Sequence, residues 1–459
     1  MRSTTRWAIA LGAATALFMT ALPAAADHDA RPHTQNLHAK GHSPHPATFF
    51  GQPDGVRHIS SDLAFWGHLA FNGNYNGFRI VDISDPDNPT EIVHQRCNGD
   101  QGDIVVWNDI LVRAWNSKKS TARTCDGETV AAGFEGVHVF DISDPTNPDL
   151  VSEVALPCGS HTLTVAGTSG SDLVVYSNNS SSSGCVDGTR ANDDPVGDYM
   201  DVLTVPLASP QNASLLRREA LAGPTTDVRT GCHDAGVILG DVNKAACASA
   251  DTINVWDIGA NDTPGGSPED PQLLFTIFEP GVGTAGTNGR WHSAGFTWDG
   301  EVLVAGWEPG GGAEPECQST DPDIDKSMFF YDADTGAKLG TWVLPRPQDG
   351  AGENCTVHNY NMVPLRSGRY VAVSGNYQAG TWVTDFTDPA NPITVAWSDP
   401  PALTPPDLGG AWSAYWYNNF IYESEITKGL NVFRLSDTRI GGALRLGHLN
   451  PQTQEFSMD

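Results

Sequence analysis

Short stretches dense in β-branched and aromatic residues recur along the chain, each stopped by a turn rich in aspartate and proline. GFRIVDISDPDNP runs from Gly77 to Pro89 and GVHVFDISDPTNP from Gly136 to Pro148. Looser versions begin at Ile253 (INVWDIGA), Met328 (MFFYDADTG), Thr381 (TWVTDFTDPANP) and Leu430 (LNVFRLSD), with MDVLTVPLASP from Met200 the weakest. A run such as FRIVDI suits a buried strand. SDPDNP cannot continue a ladder, because proline removes a donor while Asp and Asn favour tight turns. A further apolar run follows each unit, and a hairpin precedes it, as in AGFTWDGEVLVAGW around Asp299-Gly300. Four strands per unit, repeated seven times, predict an all-β chain. The expected fold is a seven-bladed β-propeller of four-stranded antiparallel blades around a central channel.

Aligned on their first strand, the units read DLAFW from Asp62, DIVVW from Asp103, HTLTV from His161, HDAGV from His233, HSAGF from His292, HNYNM from His358 and WSAYW from Trp412. Positions two and four places on are apolar in every unit, from Ala64 and Trp66 to Ala414 and Trp416. That is strand periodicity. The leading residue differs in kind. The first strand of a propeller blade is innermost, so seven leading residues form a ring at one channel mouth.

Two readings of that ring stand side by side. Imidazoles converging from His161, His233, His292 and His358 suit a divalent transition metal such as zinc, copper or iron. Asp62, Asp103, Asp234 and Trp412 then complete the channel ring or accept hydrogen bonds from the ligands. Alternatively, each imidazole satisfies backbone groups around a water-filled channel and binds nothing.

The chain ends add a different grammar. Arg2 and Arg6 precede an apolar run from Ala8 to Leu22 and the small residues Ala24-Ala25-Ala26, so residues 1–26 read as a secretory signal peptide. Residues 27–48 hold five histidines among prolines and read as a flexible leader that scavenges metal weakly at most. The propeller is expected over 49–449 and a polar tail over 450–459. The fourth strand of the last blade is expected from GALRLGHL near the C-terminus or from residues around 46–57.

Lysine and arginine number 26 against 55 acidic residues, a formal charge of −29. Such a surface repels phosphate backbones and anionic lipid, which excludes nucleic-acid partners. No later segment has the length of a membrane span. Eight cysteines in a secreted chain point to disulfides rather than thiolate ligands. The blade-entry cysteines are expected to tie down insertions, as Cys97–Cys125, Cys158–Cys185, Cys232–Cys247 and Cys317–Cys355. DPDIDK at 321–326 alternates Asp321, Asp323 and Asp325 but has Lys326 where a calcium loop has glycine, so calcium is disfavoured. No G-x-S-x-G elbow or phosphate-cradling glycine loop is present, which disfavours triad hydrolases.

GFRIVDISDP, GVHVFDISDP and SDLAFWGHLAFNGNYNGFRIVDISDP, together with CGSHT, WHSAGF and AWSAYWYNNFIYESEITKGLNVFRL, resemble the secreted LVIVD-repeat β-propeller proteins. The resemblance implies fold and secretion, and little chemistry. Two functional expectations follow. One is a propeller holding a divalent metal at its channel mouth, extended to metal-dependent oxidative chemistry on an unidentified small molecule. The other is an extracellular scaffold that binds a protein or glycan through its inserted loops.

Overall fold

The computed structural model describes residues 31–46, 59–99, 101–179, 199–222, 231–249, 252–259, 265–282, 289–350, 352–404 and 406–458. The expected signal peptide and Cys185 lie outside them.

Seven antiparallel sheets of at least four strands form the ring. Their inner strands are Ser60–Trp66, Ile104–Trp107, Thr162–Ser169, Cys232–Ile238, Arg290–Phe296, Tyr360–Met362 and Ala411–Tyr417. Blades 1 to 7 take their numbers in that order. Inner strands are buried along nearly their whole length, as in Cys232–Ile238, because each lies between two neighbouring sheets. Outer strands such as Thr90–Arg96 are only half-buried. The repeated DISDP segments end their strands by side-chain turns: Asp82 accepts from the Ser84 amide and Asp141 from that of Ser143.

Ring closure differs from both expected alternatives. The fourth strand of blade 7 is Leu37–Pro44, from the segment expected to be flexible, paired antiparallel with Gly429–Leu435. An unpaired third strand leaves a row of donors and acceptors, and this segment satisfies them. Just before it, Thr34 and Asn36 bond the carbonyls of Trp397 and Val395 in the outer strand of blade 6. At its end, Arg79 of blade 1 donates to Ser43 and Pro44. One short segment therefore bridges blades 6, 7 and 1.

GALRLGHL has another use. His448–Leu449 pairs with Phe65 and Trp66 at the end of the inner strand of blade 1. The tail beyond it is part of the fold. Asn450 exchanges two 2.9 Å hydrogen bonds with the Val106 backbone. Thr453–Gln454 pairs in parallel with Val237–Ile238, and the Thr453 hydroxyl donates to the Val165 carbonyl. The Met458 amide reaches the Trp298 carbonyl. These contacts lie at the ends of inner strands from blades 1 to 4 and just past that of blade 5, whereas the histidines stand at strand beginnings. The tail thus crosses the mouth opposite the histidines.

Cys97–Cys125, Cys232–Cys247 and Cys317–Cys355 are disulfides, as the spacing led one to expect. Cys158 is also disulfide-bonded. In the acidic loop, Lys326 donates to the carbonyls of Gln318 and Asp321, so a lysine closes that turn. No helix among the described residues is long and apolar enough to cross a membrane.

Candidate metal centre

The four histidines do meet. Ring centroids are 4.4 Å apart between His161 and His233, 4.2 Å between His233 and His292, and 4.1 Å between His292 and His358. All four line one cavity of about 190 Å³, walled also by Tyr75, Gln101, Arg290, Glu308, Tyr377, Leu408 and Trp412. The register of the inner strands puts them there: the leading residue itself falls in a bulge in blades 1, 4, 5 and 7, as His233 does between Cys232 and Asp234 and His292 between Trp291 and Ser293.

Their hydrogen bonds sort the nitrogens. His233 Nδ1 lies 3.0 Å from the His292 carbonyl and His358 Nδ1 lies 2.5 Å from that of Trp412. A carbonyl only accepts, so both Nδ1 atoms carry the proton and both Nε2 atoms present a lone pair. The acceptor in each case is the backbone of the next ring position. These two imidazoles thus satisfy backbone groups with one nitrogen and keep the other for the cavity.

What faces those Nε2 atoms is a residue absent from the sequence-based expectation. Glu308 is buried, and its carboxylate oxygens lie 3.8 Å from His233 Nε2, 4.0 Å from His292 Nε2 and 3.7 Å from His358 Nε2. These separations exceed hydrogen-bond length. They fall between the roughly 3.4 Å and 4.2 Å that separate two donors each about 2.1 Å from a shared ion in tetrahedral and opposed positions. The ligand atoms of His233, His292 and Glu308 all lie within 4.8 Å of one another, a group that His358 does not join. His161 is different: its Nε2 lies 3.2 Å from the Gln101 amide nitrogen, a donor that occupies its lone pair.

Burial sets the charge of the ring. Desolvation, followed by neighbouring Arg290 and His358, lowers His161 to about 3, and burial lowers His358 to about 3 despite its bond to Trp412. His233 and His292 are pushed well below the ordinary range by burial and then by neighbouring histidines. Neutral imidazole is the form that ligates metal. Burial raises Glu308, against the pull of the Arg290 charge and the Tyr377 hydrogen bond.

Tyr377 was also missed. Its hydroxyl donates to Glu308 Oε1 at 2.9 Å, its ring lies 4.3 Å from that of His358, and its φ is +51°. Few bulky residues adopt that backbone, and it persists only where surroundings enforce it. Paired backbone bonds with Ala411 do so here. Gly312, with φ +77°, passes so close that an added Cβ would collide with Glu308 Oε1 and the Tyr377 hydroxyl.

The expected supporting carboxylates lie elsewhere. Asp62 accepts from Leu63, Asn359 and Gln452, Asp103 from the Leu163 amide, and Asp234 from that of Ala235. Among the described residues none of the three is hydrogen-bonded to one of the four imidazoles; backbone carbonyls fill that role for His233 and His358, while Nδ1 of His161 and of His292 is buried without a hydrogen-bond partner. Trp412 does adjoin the site, edge-on to His358 at 5.2 Å.

The three aspartates form a separate buried group. Burial first, then mutual repulsion, raises Asp103 and Asp234 well above the ordinary carboxylate range. A carboxyl whose folded pKa is raised contributes stability in its protonated form, and that stability is lost as pH rises through the folded value. Asp234→Asn is therefore expected to raise the thermal midpoint at neutral and alkaline pH. The gain should vanish towards pH ~4, where the unfolded carboxyl is also protonated. Thermal melts across that range check it, and a pH-independent difference would contradict it.

The LVIVD repeat profile matches residues 59–95 and 130–155, which cover most of blade 1 and the outer half of blade 2. No curated protein matches the chain. Among solved structures, the computationally designed Ika8 protein is 12% identical over 82% of this chain and 96% of its own, with a TM-score of 0.42. Sqt1 of Saccharomyces cerevisiae is 11% identical over 78% of this chain and 77% of its own, with a TM-score of 0.46. The WD40 β-propeller domain of Doa1 is 12% identical over 83% and 98%, with a TM-score of 0.44. The chain is a seven-bladed β-propeller that carries LVIVD repeats.

Proposed function

We propose that the protein binds one divalent transition-metal ion at the channel mouth through His233, His292, His358 and Glu308, with His161 alongside. The observation that carries this reading is one buried carboxylate whose oxygens lie 3.7–4.0 Å from three buried Nε2 atoms, too far for hydrogen bonds, with the ligand atoms of His233, His292 and Glu308 all within 4.8 Å of one another. A donor set of three imidazoles and one carboxylate suits zinc, copper, iron or nickel better than calcium. The cavity of about 190 Å³ beside the donors has room for a small molecule at an open coordination position. Metal-dependent oxidative chemistry on such a molecule extends the proposal. Secretion is part of it as well, on the N-terminal pattern at 1–26 and the disulfides.

Elemental analysis of the untagged chain, beside the double variant His233→Ala/His292→Ala, tests the reading. The leader must stay, since Leu37–Pro44 closes blade 7. About one equivalent of metal in the parent, lost in a folded variant, is expected. Equal metal in both, or none in either after exposure to zinc, copper, iron and manganese, would sink the proposal.

A further inference from the structure

Tyr377 has a feature that metal ligation alone leaves unused: a phenol whose proton acceptor and ring neighbour are both members of the metal site. The hydroxyl donates to Glu308 Oε1 at 2.9 Å, and the ring lies 4.3 Å from that of His358, at an interplanar angle of 39°. Trp412 stands edge-on at 6.1 Å, and Tyr75 lies a further 6.5 Å along, on the cavity wall. The backbone at φ +51° is held in place by reciprocal bonds to Ala411. Strain of this kind concentrates at functional sites. If the phenol merely filled space, neither the strained backbone nor the aim of its hydroxyl at the shared carboxylate would be needed.

We propose that Tyr377 is a one-electron donor to the metal centre. The inference rests on the metal reading above. In the step, the oxidised form of the transition-metal ion takes one electron from the phenol and falls by one unit of charge. The O–H bond breaks, the proton passes along the existing hydrogen bond to Glu308, and a neutral phenoxyl radical remains on Tyr377. The ion and the phenoxyl then share the one oxidising equivalent that the ion brought; once an external one-electron oxidant takes an electron back from the reduced ion, the pair holds two beside the cavity, which fits the centre for two-electron oxidation of a small substrate. Trp412 and then Tyr75 offer the radical a path along the cavity wall, with each ring edge-on to the next.

Electron paramagnetic resonance on the full chain loaded with Cu(II) tests this, with hexachloroiridate(IV) as an outer-sphere one-electron oxidant. Before oxidation, nitrogen hyperfine structure on the copper signal is expected from the imidazoles. Its absence overturns the metal reading, and this proposal falls with it. After oxidation, the copper signal and any phenoxyl signal should disappear together, because the two spins couple through His358. In Tyr377→Phe the same treatment should leave the copper signal at full strength. Copper that keeps its nitrogen hyperfine and its intensity in the oxidised parent overturns the role of Tyr377 alone. So does loss of the copper signal to the same extent in Tyr377→Phe.

Discussion

Arg31→Ala is expected to destabilise the protein by about 3–5 kcal/mol, the usual cost of leaving one charge of a buried pair without its partner. Arg31 Nη2 lies 3.0 Å from Glu423 Oε1, and the two side chains are 2% and 0% exposed. Glu423 also accepts from Thr381 and Asn431. Burial would raise its pKa, but the Arg31 charge and these bonds outweigh burial and hold it below the ordinary range. The pair joins the N-terminal segment to blade 7, just before that segment becomes its fourth strand.

The pH dependence gives the prediction its signature. In the parent, a depressed folded pKa contributes stability above the unfolded value of ~4.3, lost as pH falls through the folded one. In the variant the lone carboxylate is costly while ionised and protonates readily. The deficit should therefore be largest at neutral pH and shrink towards acid. Chemical denaturation at both ends of that range measures it. Arg31→Ala in a Glu423→Gln background should cost distinctly less, since no unpaired charge remains. A loss under ~1 kcal/mol at neutral pH, the worth of an exposed pair, would mean that blade 7 does not depend on this strap.

What the sequence reveals divides by range. The blades are legible because each is a local pattern, with β-branched runs, proline turns and a hairpin, repeated often enough to align. The ring positions are legible for the same reason, since alignment brings His161, His233, His292 and His358 into one column without any knowledge of contacts. Ring closure is not local. LHAKGHSP has no β-branched residue and only two apolar side chains, Leu37 and Ala39, before its proline, and it is a strand only because Gly429–Leu435 offers an open edge. The tail, too, is fixed by strand ends that lie hundreds of residues away. Glu308 was recoverable in principle: the hairpin around Asp299-Gly300 sets Arg290 opposite Glu308, at the same level as the ring. It went unseen because 55 acidic residues give a lone glutamate no weight. Tyr377 left no comparable trace, since a positive φ outside glycine has no signature in a single sequence.

Glu308→Gln is expected to weaken divalent-metal binding by about 100-fold or more. Even partners that only hydrogen-bond to a ligand are worth about 10–100-fold, so a direct donor should reach at least the top of that range, or ~2.7 kcal/mol. Glutamine keeps the shape of the side chain and an oxygen that accepts from Tyr377, so the change isolates the negative charge. His161→Ala is the informative contrast. Its Nε2 already receives the Gln101 amide, so its removal should cost far less affinity than removal of His292, although both stand in the same ring. Titrations of the three variants with zinc, each checked for folding, place the donors in order. If His161 proves indispensable and Glu308 dispensable, the ion sits against four imidazoles, Gln101 must turn away on binding, and the carboxylate serves only to receive the Tyr377 proton.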